Sequence, residues 1–257
     1  MNLFKQLVKS IYSPKDIASF RSQGIGRTIA FVFLLTLISV LPSIIYLSSA
    51  FSSGIGKTET LLQKEAPDFL IEDGQLTAET DVPVIMNKNN ITFIIDPTGA
   101  VSEEDVSEEE DAFALLKDRF VIVTGGQTET SSYSMMPGLV ISKDDVSGFI
   151  EYISGLKGVI ITILIAIVYL FSSVMSFIEV SIAAFIGLLL KNLAGRELKY
   201  GQLWRMAAYC ETLPTLFFTI MAALKTNVPN SFGLNWLVVL FVLFLAINEI
   251  PRAEKNS

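Results

Sequence analysis

The longest apolar run in the chain goes from Gly158 to Leu190, thirty-three residues in which Glu179 is the only charge. At about 1.5 Å per residue a helix of that length is roughly 50 Å long, whereas a bilayer core is crossed by about 20 residues. No Gly, Pro or Asn cluster interrupts the run, and Lys191, Arg196 and Lys199 follow only at its end. The pattern therefore predicts one long, tilted helix rather than two short spans. Asp144 to Lys157 has helical apolar spacing at Phe149, Ile150, Tyr152, Ile153 and Leu156, so the helix is expected to start outside the membrane as a stalk. Ala183 and Gly187 form a small-xxx-small pair able to seat a neighbouring helix.

Three further apolar stretches read as spans. The first is Thr28 to Phe51, with a kink at Pro42; the others are about Gln202 to Leu224 and Trp236 to Ile250. The first is too long, and its polar lead too long, for a cleaved signal peptide, so it is expected to be a retained anchor. Ahead of it, residues 1–27 are basic and amphipathic. Phe4, Leu7, Val8 and Ile11 share one helical face, and Ser13-Pro14 has the form of an N-cap followed by Pro at the first helical position. Such a helix either lies on a membrane surface or packs on the bundle as an ordinary cytoplasmic helix.

Residues 52–150 switch to short, alternating apolar segments. Asp68 to Leu76 reads as strand and turn. Val82 to Met86 and Ile91 to Ile95 read as strands joined by a turn at residues 87–90. Ser107 to Glu110 reads as a capping box opening a helix through Leu116. Phe120 to Val123 is a strand, Gly125-Gly126 a turn, and Tyr133 to Val140 a last strand. The expected fold is a helical membrane bundle of four spans, the second helix long, with an inserted small α+β extracytoplasmic domain whose sheet is mostly antiparallel. The divisions are 1–27, an amphipathic segment; 28–51, the first span; 52–150, the acidic domain; and 151–257, the remaining bundle and tail.

Charge sharpens this picture. The net charge of −7 hides a segregation: residues 52–150 hold 19 acidic and 6 basic residues, a net of −13, and the rest holds 7 acidic and 13 basic, a net of +6. Lys5, Lys9, Lys15, Arg21 and Arg27 precede the first span, and the other basic clusters fall on the same side, so both termini are expected in the cytoplasm. The chain has no His and one cysteine, Cys210. Intrachain disulfides, His-based triads, His-ligated zinc and Cys-cluster sites are thereby excluded. No phosphate loop is present, and the carboxylate run from Ser102 to Asp111 lacks the mid-loop Gly and alternating ligands that calcium needs. No metal, cofactor or nucleic-acid partner is expected.

The candidate chemistry lies in the spans. Glu179 is 11 residues before Leu190, roughly 16 Å in, and Glu211 is 9 residues after Gln202, roughly 14 Å in. Two antiparallel helices would bring these carboxylates level, and each costs about 2.5–3.5 kcal/mol to place in a bilayer. They define a candidate intramembrane polar site, with Tyr169, Tyr209 and Arg205 near in depth or sequence. The bland alternative is a structural hydrogen bond between helices.

Residues 13–27 (SPKDIASFRSQGIGR), 93–99 (FIIDPTG) and 197–214 (ELKYGQLWRMAAYCETLP) resemble an uncharacterised domain-of-unknown-function family of multi-span membrane proteins from Gram-positive bacteria. Some members carry the label maltodextrin-utilisation protein. The half from the long helix through Tyr209 and Pro214 is also loosely similar to Yip1-type multi-span proteins. The resemblance implies no catalytic residue. The expectation is a non-enzymatic integral membrane protein, an envelope sensor, scaffold or accessory subunit associated with the lipid bilayer and a membrane or envelope protein, with oligomers allowed. The alternative is a small-solute, ion or lipid transporter using Glu179 and Glu211.

Overall fold

The structure is a computed structural model describing residues 1–88, 91–135, 138 and 140–251. The chain divides into two compact units: residues 1–49 with 161–257, which is helical, and residues 50–160, which carries the sheets.

In the helical unit, α1 (Leu3–Tyr12) is capped by Asn2, whose side chain accepts from the Lys5 N–H at 2.9 Å. Ser13 caps α2 (Pro14–Ser19), with Pro14 at the first position where its missing N–H costs nothing. A 3-10 turn at Phe20–Ser22 leads to α3 (Ile25–Lys64), which runs thirteen residues beyond the expected end at Phe51. The long run is one helix, α5 (Lys143–Leu193), 51 residues that begin at the acidic pair Asp144 and Asp145. Gly195, at φ +65°, follows its last turn.

The third apolar stretch is two helices, α6 (Tyr200–Cys210) and α7 (Thr212–Ala223), separated at Glu211 alone. Pro214 explains the interruption: it offers no N–H to the Cys210 carbonyl four residues back. The last helix, α8 (Ser231–Asn248), starts five residues before the expected Trp236. Among the described residues, α3, α5, the α6–α7 pair and α8 are the helices long and apolar enough to cross a membrane.

The core of this unit is made of small residues beside large ones. Ala183, Ala184 and Gly187 on α5 and Ala207 and Ala208 on α6 are buried, as are Leu203, Met206 and Leu243. A Cβ on Gly187 would meet Leu243 Cδ2 at 3.2 Å and Leu203 Cδ2 at 3.3 Å, so Gly187 seats α6 and α8 closely, with Ala183 buried in the same core.

The sheet unit contains α4 (Glu103–Ser107) and eight strands: β1 (Phe69–Glu72), β2 (Gln75–Ala78), β3 (Val84–Lys88), β4 (Ile91–Ile95), β5 (Asp111–Leu115), β6 (Arg119–Thr124), β7 (Gln127–Ser132) and β8 (Ile141–Ser142). One sheet has the order β2-β1-β8. The other runs β3 to β7 in chain order and is antiparallel except for β4 with β5, which α4 connects.

Three expectations are corrected. Residues 111–115 form a strand, because the helix and its capping box lie one turn earlier, at Ser102 and Asp105. The last strand of the large sheet is Gln127–Ser132, not Tyr133 to Val140. Residues 133–135 form a 3-10 turn, and residues 136, 137 and 139 lie outside the described residues. Asn87 and Lys88 belong to β3 rather than to a turn, and residues 89 and 90 also lie outside the described residues.

The large sheet is apolar on both faces. Ile94, Ala112, Ala114, Val121 and Val123 pack with Val106 of α4. The alternate residues of the same strands turn the other way, toward Leu61 and Ala66 at the end of α3 and toward the small sheet.

Candidate functional site

Glu179 and Glu211 line one cavity of about 330 Å³ inside the helical unit. Glu179 projects from the last third of α5, 14 residues before its end. Glu211 occupies the one-residue gap between α6 and α7 and is 6% exposed. Neither carboxylate has an ion-pair or hydrogen-bond partner among the described residues.

The remaining polar lining is hydroxyl and amide. α3 brings Thr36 and Ser39, α5 brings Ser176, α7 brings Thr215 and Thr219, and α8 brings Asn235. Thr36 donates to Ser176 across the helix pair at 3.0 Å, while Ser39 and Thr219 donate to carbonyls of their own helices at 2.8 and 2.7 Å. The arrangement suits a cation, a proton or a small polar solute, because oxygen acceptors surround a space that holds two carboxylates. Among the described residues, no three Asp, Glu or Cys side chains cluster as a metal-holding group.

The other three candidates are placed elsewhere. Tyr209 is fully buried against the N-terminal segment. Its hydroxyl donates to Gln6 Oε1 at 3.1 Å and accepts from Gln23 Nε2, and its ring lies 4.1 Å from that of Phe31 and 4.6 Å from that of Phe20. Gln6 in turn donates to Gln23 at 2.7 Å. Tyr209 thus clamps α1 and the 3-10 turn onto α6. Arg205 donates to the carbonyls of Gly201 (3.1 Å) and Arg21 (3.3 Å), with its Nε buried and unpartnered among the described residues. Tyr169 donates to the Phe33 carbonyl at 3.1 Å.

The hydroxyl lining was missing from the sequence reading, although a signal for it exists. Thr36 and Ser39, Ser176 and Glu179, and Glu211, Thr215 and Thr219 are spaced by three or four residues within apolar helices. Each set therefore shares a face.

The sheet unit has its own cavity, of about 480 Å³ and apolar. Leu61 and Leu62 of α3 and Val146 and Ile150 of α5 form part of its wall; Phe93 and Phe113 of the large sheet form another part. The same two helices therefore contribute walls to both cavities.

No curated protein and no solved structure matches the chain. One family model does, over residues 4–247, taking in the helical unit and the sheet unit alike. The chain belongs to the DUF1189 family, whose description is protein of unknown function.

Proposed function

We propose that the chain is a non-enzymatic, multi-pass membrane protein that acts as an envelope sensor, scaffold or accessory subunit. Residues 52–150 lie outside the cytoplasm and both termini lie inside it. The basic clusters before α3 and between α5 and α6 support this orientation. The sensor reading rests on one observation. α3 and α5 are each unbroken between the core of the sheet unit and the bundle, where they carry Thr36, Ser39, Ser176 and Glu179 to the polar cavity. A ligand or protein bound by the sheet unit is thus read out at the polar cavity, through two helices common to both.

Chemical cross-linking in native membranes, followed by purification and mass spectrometry, tests this reading. A stoichiometric protein partner captured by the full chain, and lost when the sheet unit is removed, is the expected result. A partner retained without that unit, or no protein partner at all, overturns it.

The polar cavity favours a second reading, transport of a cation, small solute or lipid headgroup. Two unpaired carboxylates in an apolar bundle are each costly, and a cation or proton held between them offsets that cost. In reconstituted vesicles, Glu179→Gln and Glu211→Gln each abolish uptake or lipid movement on this reading; wild-type transport in both variants rejects it.

A further inference from the structure

Protein interiors are packed nearly as tightly as organic crystals, and voids larger than a water are few. The cavity of the sheet unit, at about 480 Å³, lies instead in the size range of small-molecule sites.

Its wall contains no charged side chain among the described residues, and its polar side chains there are Thr58 and Tyr133. The Thr58 hydroxyl is already used, donating to the Gly54 carbonyl at 3.0 Å. Tyr133 differs. It is 3% exposed, it lines the cavity, and its hydroxyl has no hydrogen-bond partner among the described residues. A buried hydroxyl without a partner is uncommon and costs stability unless something supplies one. Burial pushes the Tyr133 hydroxyl well up from its usual range, with the Asp118 charge adding to the effect. The group is therefore neutral throughout the physiological range, available both to donate and to accept.

We propose that this cavity binds a neutral single-chain amphiphile, an apolar chain whose one uncharged hydroxyl or carbonyl group hydrogen-bonds to Tyr133. An ionised head is disfavoured, because no cation lines the wall to compensate a buried charge. The proposal deepens the reading of the sheet unit as the receiving part of a sensor by naming what that unit receives, but the binding itself stands on the cavity and Tyr133 alone.

The test uses the full chain in lipid nanodiscs free of detergent. Two photoreactive probes are compared: dodecanol carrying a diazirine in its chain, and dodecane carrying the same group. Both are expected to label peptides containing Leu61, Phe93 or Phe113. Tyr133→Phe lowers labelling by the alcohol about threefold to tenfold, the worth of one hydrogen bond, and leaves the alkane unchanged. Met86→Trp, which fills the cavity from the edge strand β3, removes labelling by both. Circular dichroism checks that each variant is folded, and if Met86→Trp is not, Tyr133→Phe decides alone. Labelling confined to the bundle helices, or alcohol labelling indifferent to Tyr133→Phe, overturns the proposal. Supplying the alcohol in the bilayer or from cyclodextrin in solution separates a lipid-derived ligand from a soluble one. Labelling reads binding only. A cavity that binds the probe with no effect on partner capture leaves this proposal standing and sinks the sensor reading.

Discussion

Asp96 is fully buried, yet its carboxylate accepts from the backbone N–H groups of Thr98 (2.9 Å), Gly99 (3.2 Å) and Val101 (2.7 Å) and from the Thr98 hydroxyl (2.6 Å). Burial alone would raise its pKa. The bonds from Thr98, Val101 and Gly99 together outweigh that and hold it below the ordinary 3.8. Residues 96–99 are thus a structural turn after β4. Because the folded-state value is depressed, the stability Asp96 supplies is fully present above about pH 4 and is lost as pH falls through the depressed value. Asp96→Ala should cost the sheet unit about 1.5–3 kcal/mol at neutral pH, read as a lowered urea midpoint, and the variant should lack this part of the acid sensitivity. An unchanged midpoint would show the turn to be dispensable. Residue-scale logic also explains the dispersal of the candidate site. Tyr209 and Glu211 are two apart, so they point to different sides of their helix, and Arg205 and Tyr169 are six and ten residues from their carboxylates. Proximity in sequence and in depth is legible from the chain; direction around the helix separates these residues.

At the scale of elements, the apolar pattern was informative for the long helices and for β4 and β6, and failed at β5 and β7. Pro14 with Ser13, the unbroken α5 and the stop at Gly195 follow from capping and hydropathy alone. β5 did not, because Ala112, Ala114, Phe113 and Leu115 are apolar on alternate faces of a sheet covered on both sides, and a continuous apolar run hides the period of two. β7 (QTETSS) has no apolar residue to announce it and is held by its edge pairing with β6. α1 is amphipathic as read, but it packs through Gln6 and Ser10, beside Leu3 and Leu7. Phe4 is left 66% and Val8 52% exposed. The seat at Gly187 gives a direct check on helix packing. Gly187→Ala meets only the ends of two flexible leucines and should be tolerated, whereas Gly187→Leu should destabilise by about 1–3 kcal/mol, visible as a lower melting temperature in detergent. Equal stability of the two variants would mean that α5 does not close on α6 and α8 as described.

At the scale of the molecule, the segregated charge of the sequence matches the division into a helical unit and an acidic sheet unit. The proposed topology predicts a labelling pattern. In a Cys210→Ala background, Glu129→Cys should react with a membrane-impermeant maleimide in intact cells, and Lys15→Cys and Glu197→Cys only after permeabilisation. Protection of Glu129→Cys in intact cells would reverse the orientation. On the proposed function, α3 and α5 carry the state of the sheet unit to the polar cavity. The most direct measurement is the thiol labelling rate of Thr215→Cys, which lines that cavity, in membranes with and without Met86→Trp in the sheet unit. Filling the apolar cavity is expected to change this rate several-fold while Glu129→Cys still labels as in the folded protein. An unchanged rate at Thr215→Cys beside a folded, filled sheet unit would contradict the proposed function.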